Sequence, residues 1–355
     1  MLRVLRSGVL VILLLMANPA FADQANVFVY HRFNDSRYPS TNISSADFRA
    51  HLDLLSQEQF SILTLGQVIE RLQQGIGLPQ RCAVITVDDA YRSFLTEGWP
   101  LLKEYGYPAT LFVSTDKVGG GGYLSWQELK VLQAEGVEIG NHSASHAYFL
   151  DRLIPESNAD WSKRVSEDLY RSRLAFEKHL GSSPKIFAYP YGEFAPELIN
   201  LVREAGFIAA FGQQSGVVEA GQDPFSLPRF PAGGEYAAIA EFRSKLFMKR
   251  LSIRIVSPAS PVIEEENPPR LRFYLHQDVD SNSLRCFVPG PSECLVRKVS
   301  GEKELYEAES LQPLSGRRSK YTLTARDARG KSWYWFSQLW VQPRGGEMTD
   351  YPVSR

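Results

Sequence analysis

Between residues 26 and 250, short apolar runs alternate with segments whose apolar residues recur every three or four positions. Val27-Phe28-Val29-Tyr30 reads as a strand. Residues 45–57 read as a helix with Ser45 as N-cap, and Phe48, Leu52, Leu54 and Leu55 form its apolar face. Further strands are expected at 83–87, 109–113, 137–140, 185–188 and 207–211. Helices are expected through Leu101 and Leu102 and over 125–135, 160–180 and 196–205. Ser125 followed three residues later by Glu128 is the pattern of a capping box. Alternation of this kind predicts an α/β fold, with parallel strands and helices outside them. The number of units suggests a barrel-like closure rather than an open sheet.

The pattern changes near residue 251. A strand-like run at 251–256 is followed by a Pro-rich acidic stretch at 258–269. Beyond it only strand-like runs remain, at 270–275, 283–288, 293–299, 320–325 and 333–341, which predicts a small all-β sandwich of the immunoglobulin-like kind. The expected division is 1–22, 23–250 and 251–355. The first segment reads as an export signal: Arg3 and Arg6, an apolar run from Gly8 to Met16, then Ala20-Phe21-Ala22 as a cleavage pattern. The alternative is a retained membrane anchor. Cleavage would start the mature chain near Asp23, secreted or in a periplasm, with no stable membrane insertion. An oxidising compartment permits disulfides. Cys286 and Cys294 flank a Pro-Gly turn signal and suit a hairpin-closing bridge, while Cys82 precedes an apolar run and reads as a buried small hydrophobe. A net charge of -1 without a basic block argues against a nucleic-acid partner.

Two strands end in residues able to do chemistry, at the rim where such folds place their sites. The first is Thr86-Val87-Asp88-Asp89-Ala90 and the second Gly140-Asn141-His142-Ser143-Ala144-Ser145-His146. Two histidines four residues apart face one side if the segment turns helically, and together they can hold one divalent ion. With a carboxylate they form a three-ligand set that leaves a position open for water. Two carboxylates after a buried strand are costly unless something compensates their charge. The bland readings are an Asp-rich loop and two unrelated histidines; both would have to hold at once.

These segments resemble the polysaccharide deacetylase family, the carbohydrate esterases with a NodB homology domain. The first looks like that family's T-F-D-D-G motif and His142-Ser143-Ala144-Ser145-His146 like its H-[ST]-x-x-H. Phe187-Ala188-Tyr189-Pro190-Tyr191-Gly192 looks like the third, which supplies R-x-P-Y in many members. Tyr30-His31 and Leu227-Pro228-Arg229 are similar to the subgroup that includes poly-β-1,6-N-acetylglucosamine deacetylases. The resemblance covers roughly residues 26–250. It implies a distorted (β/α) barrel that removes acetyl groups from a β-linked N-acetylglucosamine polysaccharide. Asp89, His142 and His146 would hold a divalent metal, with zinc the natural choice and cobalt or nickel also fitting. Asp88 would be the base that deprotonates the attacking water, and the backbone N–H of Tyr191 would stabilise the oxyanion.

Departures from the pattern also carry expectations. Ala90 replaces the first motif's glycine and predicts a less unusual backbone there. Val87 replaces a phenylalanine. Ala188 stands where many members have the arginine that braces the catalytic Asp, and Arg229 is the candidate replacement. No Leu-x-His segment of the kind that supplies the general acid is present. His31 could reach the barrel mouth, as donor or as a structural or substrate-contacting histidine, so the proton donor is unassigned. A catalytically weak or inactive carbohydrate-binding protein that retains the fold, or a hydrolase of another acyl or amide group, are the alternatives. Trp126 reads as core rather than a sugar platform, as does Trp333-Tyr334-Trp335-Phe336, although one face of that run could contact a glycan or a protein partner.

Overall fold

In the computed structural model, which describes residues 21–276 and 279–346, the apolar runs of the first region become neighbouring strands. β1 (Gln24–Tyr30), β2 (Cys82–Val87), β3 (Thr110–Val113), β4 (Glu138–Asn141), β5 (Ile186–Ala188) and β6 (Ala209–Phe211) lie side by side in that order. All are parallel. Side chains of β2, β3, β5 and β6 are buried throughout. That is why they read as continuous apolar runs rather than alternating ones.

The sheet curls until its ends almost meet. A seventh strand, β7 (Phe230–Pro231), pairs in parallel with β1, and three residues earlier Leu227 bridges Phe211 of β6. The stretch 227–231 thus spans from the last strand to the first and carries Arg229 into the interior, fully buried. The barrel is therefore distorted, closed on one side by an irregular segment rather than a regular strand.

The helices follow the expected periodicity with small differences. α1 (Ser45–Gln57) is capped by Ser44, not Ser45: Ser44 is still extended, and its Oγ accepts the Asp47 N–H at 3.0 Å. α2 (Leu65–Gln73), which the expected elements omitted, starts with a capping box between Thr64 and Gln67. α3 (Trp99–Tyr105) ends at Gly106 in the left-handed conformation. α4 (Trp126–Ala134) has the capping box of Ser125 and Glu128. α5 (Asn158–Leu180) and α6 (Pro196–Glu204) complete the series, and α7 (Ile239–Leu246) is a second helix not expected from sequence. Trp126 packs on the core and stacks on His179, as a structural residue would.

The second region is all β. β8 (Ile253–Ser257), β9 (Leu271–Leu275), β10 (Val279–Phe287), β11 (Cys294–Lys298), β12 (Leu305–Ser310), β13 (Arg318–Asp327) and β14 (Trp333–Val341) join the short strand Lys249–Arg250 in one eight-stranded sheet. Its edges are Lys249–Arg250 and β8, which are consecutive in the chain. The sheet curls around a core to which Leu271, Phe273, Tyr321, Leu323 and Trp340 all belong. Cys286 and Cys294 face each other across β10 and β11 and form the expected disulfide. Cys82 is buried, and that burial pushes its thiol up to about 12. Trp335 reaches the barrel: its ring lies 5.8 Å from Phe230 and its Nε1 donates to the Ser215 carbonyl at 3.1 Å.

The expected export segment lies outside the described residues, except that Phe21–Ala22 pairs with Leu78–Pro79. Among the described residues no helix is long and apolar enough to cross a membrane.

Gly140 links the core to the chemistry. A Cβ there would sit 2.4 Å from the Phe112 ring, two residues before His142. Gly140→Ala should therefore overpack the β3–β4 contact and lower stability by about 1–3 kcal/mol. Urea unfolding measures this, and an unchanged midpoint would contradict the packing.

Candidate active site

The site is assembled at the ends of β2, β4 and β5. At the end of β2 the Asp88 N–H donates to the Tyr30 carbonyl at 2.9 Å, which keeps it in the strand. Its carboxylate is fully buried and meets Arg229 bidentately, Nη1 to Oδ1 at 2.7 Å and Nη2 to Oδ2 at 2.8 Å. Arg229 is itself fixed: Nε donates to the Gly212 carbonyl at 2.9 Å and Nη1 to the Thr86 hydroxyl at 3.2 Å. Burial alone would raise the Asp88 carboxyl. The charge of Arg229, with His142 next, outweighs it and holds Asp88 below its ordinary value. Gln213 Nε2 donates to Asp88 Oδ2 at 3.4 Å, and His31 Nε2 stands 4.0 Å from the same oxygen.

One residue later the chain breaks from the strand. Asp89 has φ 72° and Ala90 φ 56°, both left-handed. The expectation of an ordinary backbone at Ala90 is therefore incorrect. The turn is retained without glycine, at a cost of roughly 1–2 kcal/mol per L-residue. It turns Asp89 toward the two imidazoles. Asp89 Oδ1 lies 3.1 Å from His146 Nε2 and 3.5 Å from His142 Nε2. Burial opposes its ionisation, but the hydrogen bond and charge of His146 dominate and depress its pKa strongly.

The histidine pair comes together through a polar turn rather than a helical one. Ser143 and His146 both have positive φ, 69° and 58°. Side chains hold the turn: Asn141 Oδ1 accepts the Ser143 N–H at 2.8 Å, and Ser143 Oγ accepts the His146 N–H at 2.9 Å. Asp168, reaching from α5, accepts the Ala144 N–H at 2.8 Å and the Ser145 N–H at 3.2 Å. His142 Nδ1 bonds the Ala188 carbonyl at 2.7 Å, so it carries the proton and Nε2 presents a lone pair. Burial pushes the His142 pKa down to about 4, which keeps the ring neutral at pH 7.

Ligand atoms of Asp89, His142 and His146 all lie within 4.8 Å of one another. Two imidazole nitrogens and one ionised oxygen gathered this closely fit a divalent ion of the zinc class, with space on the groove side. Asp88, locked against Arg229, stays out of that set. Arg229 touches no substrate space, so its place is that of a positioning residue for Asp88.

Tyr191 of the third motif is left-handed at φ 59°. Its ring sits edge-on to His146 at 4.5 Å and stacks on Tyr148 at 3.6 Å. Gly192 follows at φ +72°, where a Cβ would lie 2.5 Å from Gln213, so only glycine fits. A groove of about 1230 Å³ runs past these groups. It is lined by His31, Asp89, His146 and Tyr191 of the barrel and by Arg318 and Lys320 of the β region. Sequence reasoning left His31 without a role and did not single out Asp168 or the β-region arginines. The position of His31 just after β1 was the available signal; for the others there was none.

Residues 76–210 match the family model described as polysaccharide deacetylase. A Staphylococcus aureus poly-beta-1,6-N-acetyl-D-glucosamine N-deacetylase is 24% identical over 217 residues, which is 59% of this chain and 73% of that protein. The solved structure of IcaB from Ammonifex degensii aligns with a TM-score of 0.55 and 26% identity, over 64% of this chain and 98% of that one. A de-N-acetylase from Aggregatibacter actinomycetemcomitans shares the fold, with a TM-score of 0.57 and 20% identity over 63% of this chain and all of that one. The barrel with its aspartate and histidine motifs thus contains a polysaccharide deacetylase domain, matched by the family model over residues 76–210.

Proposed function

We propose that this enzyme removes acetyl groups from the amino sugars of a β-linked N-acetylglucosamine polysaccharide, using one divalent ion, with zinc the favoured metal. The convergence of Asp89, His142 and His146 beside a separately held Asp88 is the observation that carries this reading. Similarity to the S. aureus N-deacetylase supports the substrate class. In this reading Asp89, His142 and His146 hold the ion. When bound, it supplies a Lewis acid that polarises the acyl carbonyl and makes water acidic enough to attack at neutral pH. Asp88 takes the proton from the attacking water, with its carboxylate kept ionised and oriented by Arg229. The Tyr191 N–H faces the oxygen that gains negative charge, and one such donor is typically worth about 2.7–4 kcal/mol of barrier. His31, across from Asp88, gives a proton to the amine nitrogen as the carbon–nitrogen bond breaks, releasing acetate.

We further propose that 1–22 is removed on export and that the mature enzyme, a barrel over 23–250 and a β domain over 251–355, works outside the cytoplasm. The Cys286–Cys294 disulfide suits an oxidising compartment. Mass spectrometry of the exported protein should find an N-terminus near Asp23; a retained Met1 would refute cleavage.

Acetate release from β-1,6-linked N-acetylglucosamine oligomers tests the reaction. Chelation should abolish it and zinc restore it. Asp88→Asn should lower kcat by about 10²–10⁴-fold. Tight oligomer binding without acetate release would favour a binding protein instead. Asp168→Ala should weaken zinc binding by about 10–100-fold, because the turn bearing both histidines loses its carboxylate anchor. Calorimetric zinc titration reads that loss, and unchanged affinity would contradict it.

A further inference from the structure

The β region does more than sit beside the barrel, because it places a cation under the third-motif loop. Arg317 directly precedes β13, and its guanidinium is spread over two barrel carboxylates. Nε and Nη2 bond Glu193 Oε1 and Oε2, each at 2.7 Å, and Nη1 bonds Asp151 Oδ1 at 2.6 Å. All three side chains are nearly closed to solvent, at 12%, 1% and 4% exposure for Arg317, Glu193 and Asp151. The same guanidinium lies 3.9 Å above the Tyr148 ring. Tyr148 stacks on Tyr191, and Tyr191 meets His146 edge-on. The neighbouring Arg318 donates to the Tyr191 carbonyl. An unbroken series of contacts therefore runs from the second region to the metal-ligand set.

We infer that Arg317 is a positioning residue for deacetylation, supplied by the C-terminal β region, which fixes the 189–193 loop and Tyr148 so that Tyr191 keeps its place beside His146. This rests on the deacetylase reading above. The physical need is clear: a left-handed tyrosine costs of order 1–3 kcal/mol and persists only where its surroundings hold it. Gly192 and Gln213 constrain the loop from one side. Arg317 constrains it from the other through charge-assisted bonds in a poorly solvated place, where such bonds are strong. Without it, Glu193 and Asp151 are two buried carboxylates with their shared cation gone, a state that burial penalises heavily. Lysine cannot replace it, because a single ammonium cannot present a planar fork to Glu193 and a third donor to Asp151.

The test uses the full-length zinc-loaded enzyme with Arg317→Ala and Arg317→Lys. Both should lose about 100-fold in kcat, the scale of a 1 Å misplacement at a reacting centre. KM and zinc affinity should stay close to wild type. Affinity for a phosphonamidate analogue of the tetrahedral state should fall in parallel with kcat, while affinity for the glucosamine product does not change. If Arg317→Ala does not fold, Arg317→Lys, which keeps the charge and most of the stem, carries the comparison. Near-wild-type kcat in either folded variant, or a loss confined to KM, would overturn the assignment. So would zinc affinity falling in step with kcat. Amide hydrogen exchange separates this from the deacetylase reading. Faster exchange confined to 147–151 and 189–193 supports the brace even if the wild type releases no acetate, a result that would refute only the substrate assignment; unchanged exchange there overturns the brace.

Discussion

The pairing of Asp88 with Arg229 is the interaction on which the site and much of the barrel depend. Arg229 sits in the segment that closes the curled sheet between β6 and β1, so the residue that orients the carboxylate is also part of the closure. Neither side chain has any exposure, and each satisfies the other's charge. Removing one partner of such a pair strands the other and typically costs about 3–5 kcal/mol. The pairing also decides the division of labour between two adjacent aspartates. With Asp88 committed to Arg229, the turn at Asp89 is free to deliver the second carboxylate to the imidazoles.

Backbone strain gathers around the same point. Asp89, Ala90, Ser143, His146 and Tyr191 all have positive φ without being glycine. Each is held by something specific: the strand end before Asp89, the Asn141, Ser143 and Asp168 side chains around the histidines, and the Arg317 contacts around Tyr191. Strain of this kind is characteristic of sites whose geometry is fixed before the ligand arrives. It also gives the β region a role in the chemistry that its sequence did not suggest, because part of the scaffolding of Tyr191 comes from beyond residue 250.

The sequence was most informative where local rules act. The parallel strands announced themselves as unbroken apolar runs, and the Ser125–Glu128 box marked a helix start that the structure shares. α2 was legible in principle through Thr64 and Gln67 with Leu65, Val68 and Ile69 behind them, yet its short length hid it. β12 alternates weakly and lies between charged residues, which concealed a strand paired on both sides. At the site, Asp88, Asp89, His142 and His146 could be singled out because motif spacing is local. The turn that joins the histidines was not legible, because side-chain acceptors, not the backbone ladder, shape that segment. Asp168 and Arg317 act from 23 and 124 residues away along the chain, on Ser145 and Glu193 respectively. Contacts of that span leave no periodic trace.

The central claim is that the two neighbouring aspartates have separate duties, one gripping an ion with two imidazoles and the other held apart by Arg229. Zinc titration and zinc-edge X-ray absorption on Asp88→Asn and Asp89→Asn test it most directly. The account predicts that Asp88→Asn keeps zinc with two imidazole nitrogens at about 2.0–2.1 Å, whereas Asp89→Asn loses most of its affinity. Equal loss in both variants, or a zinc spectrum without imidazole, would contradict it.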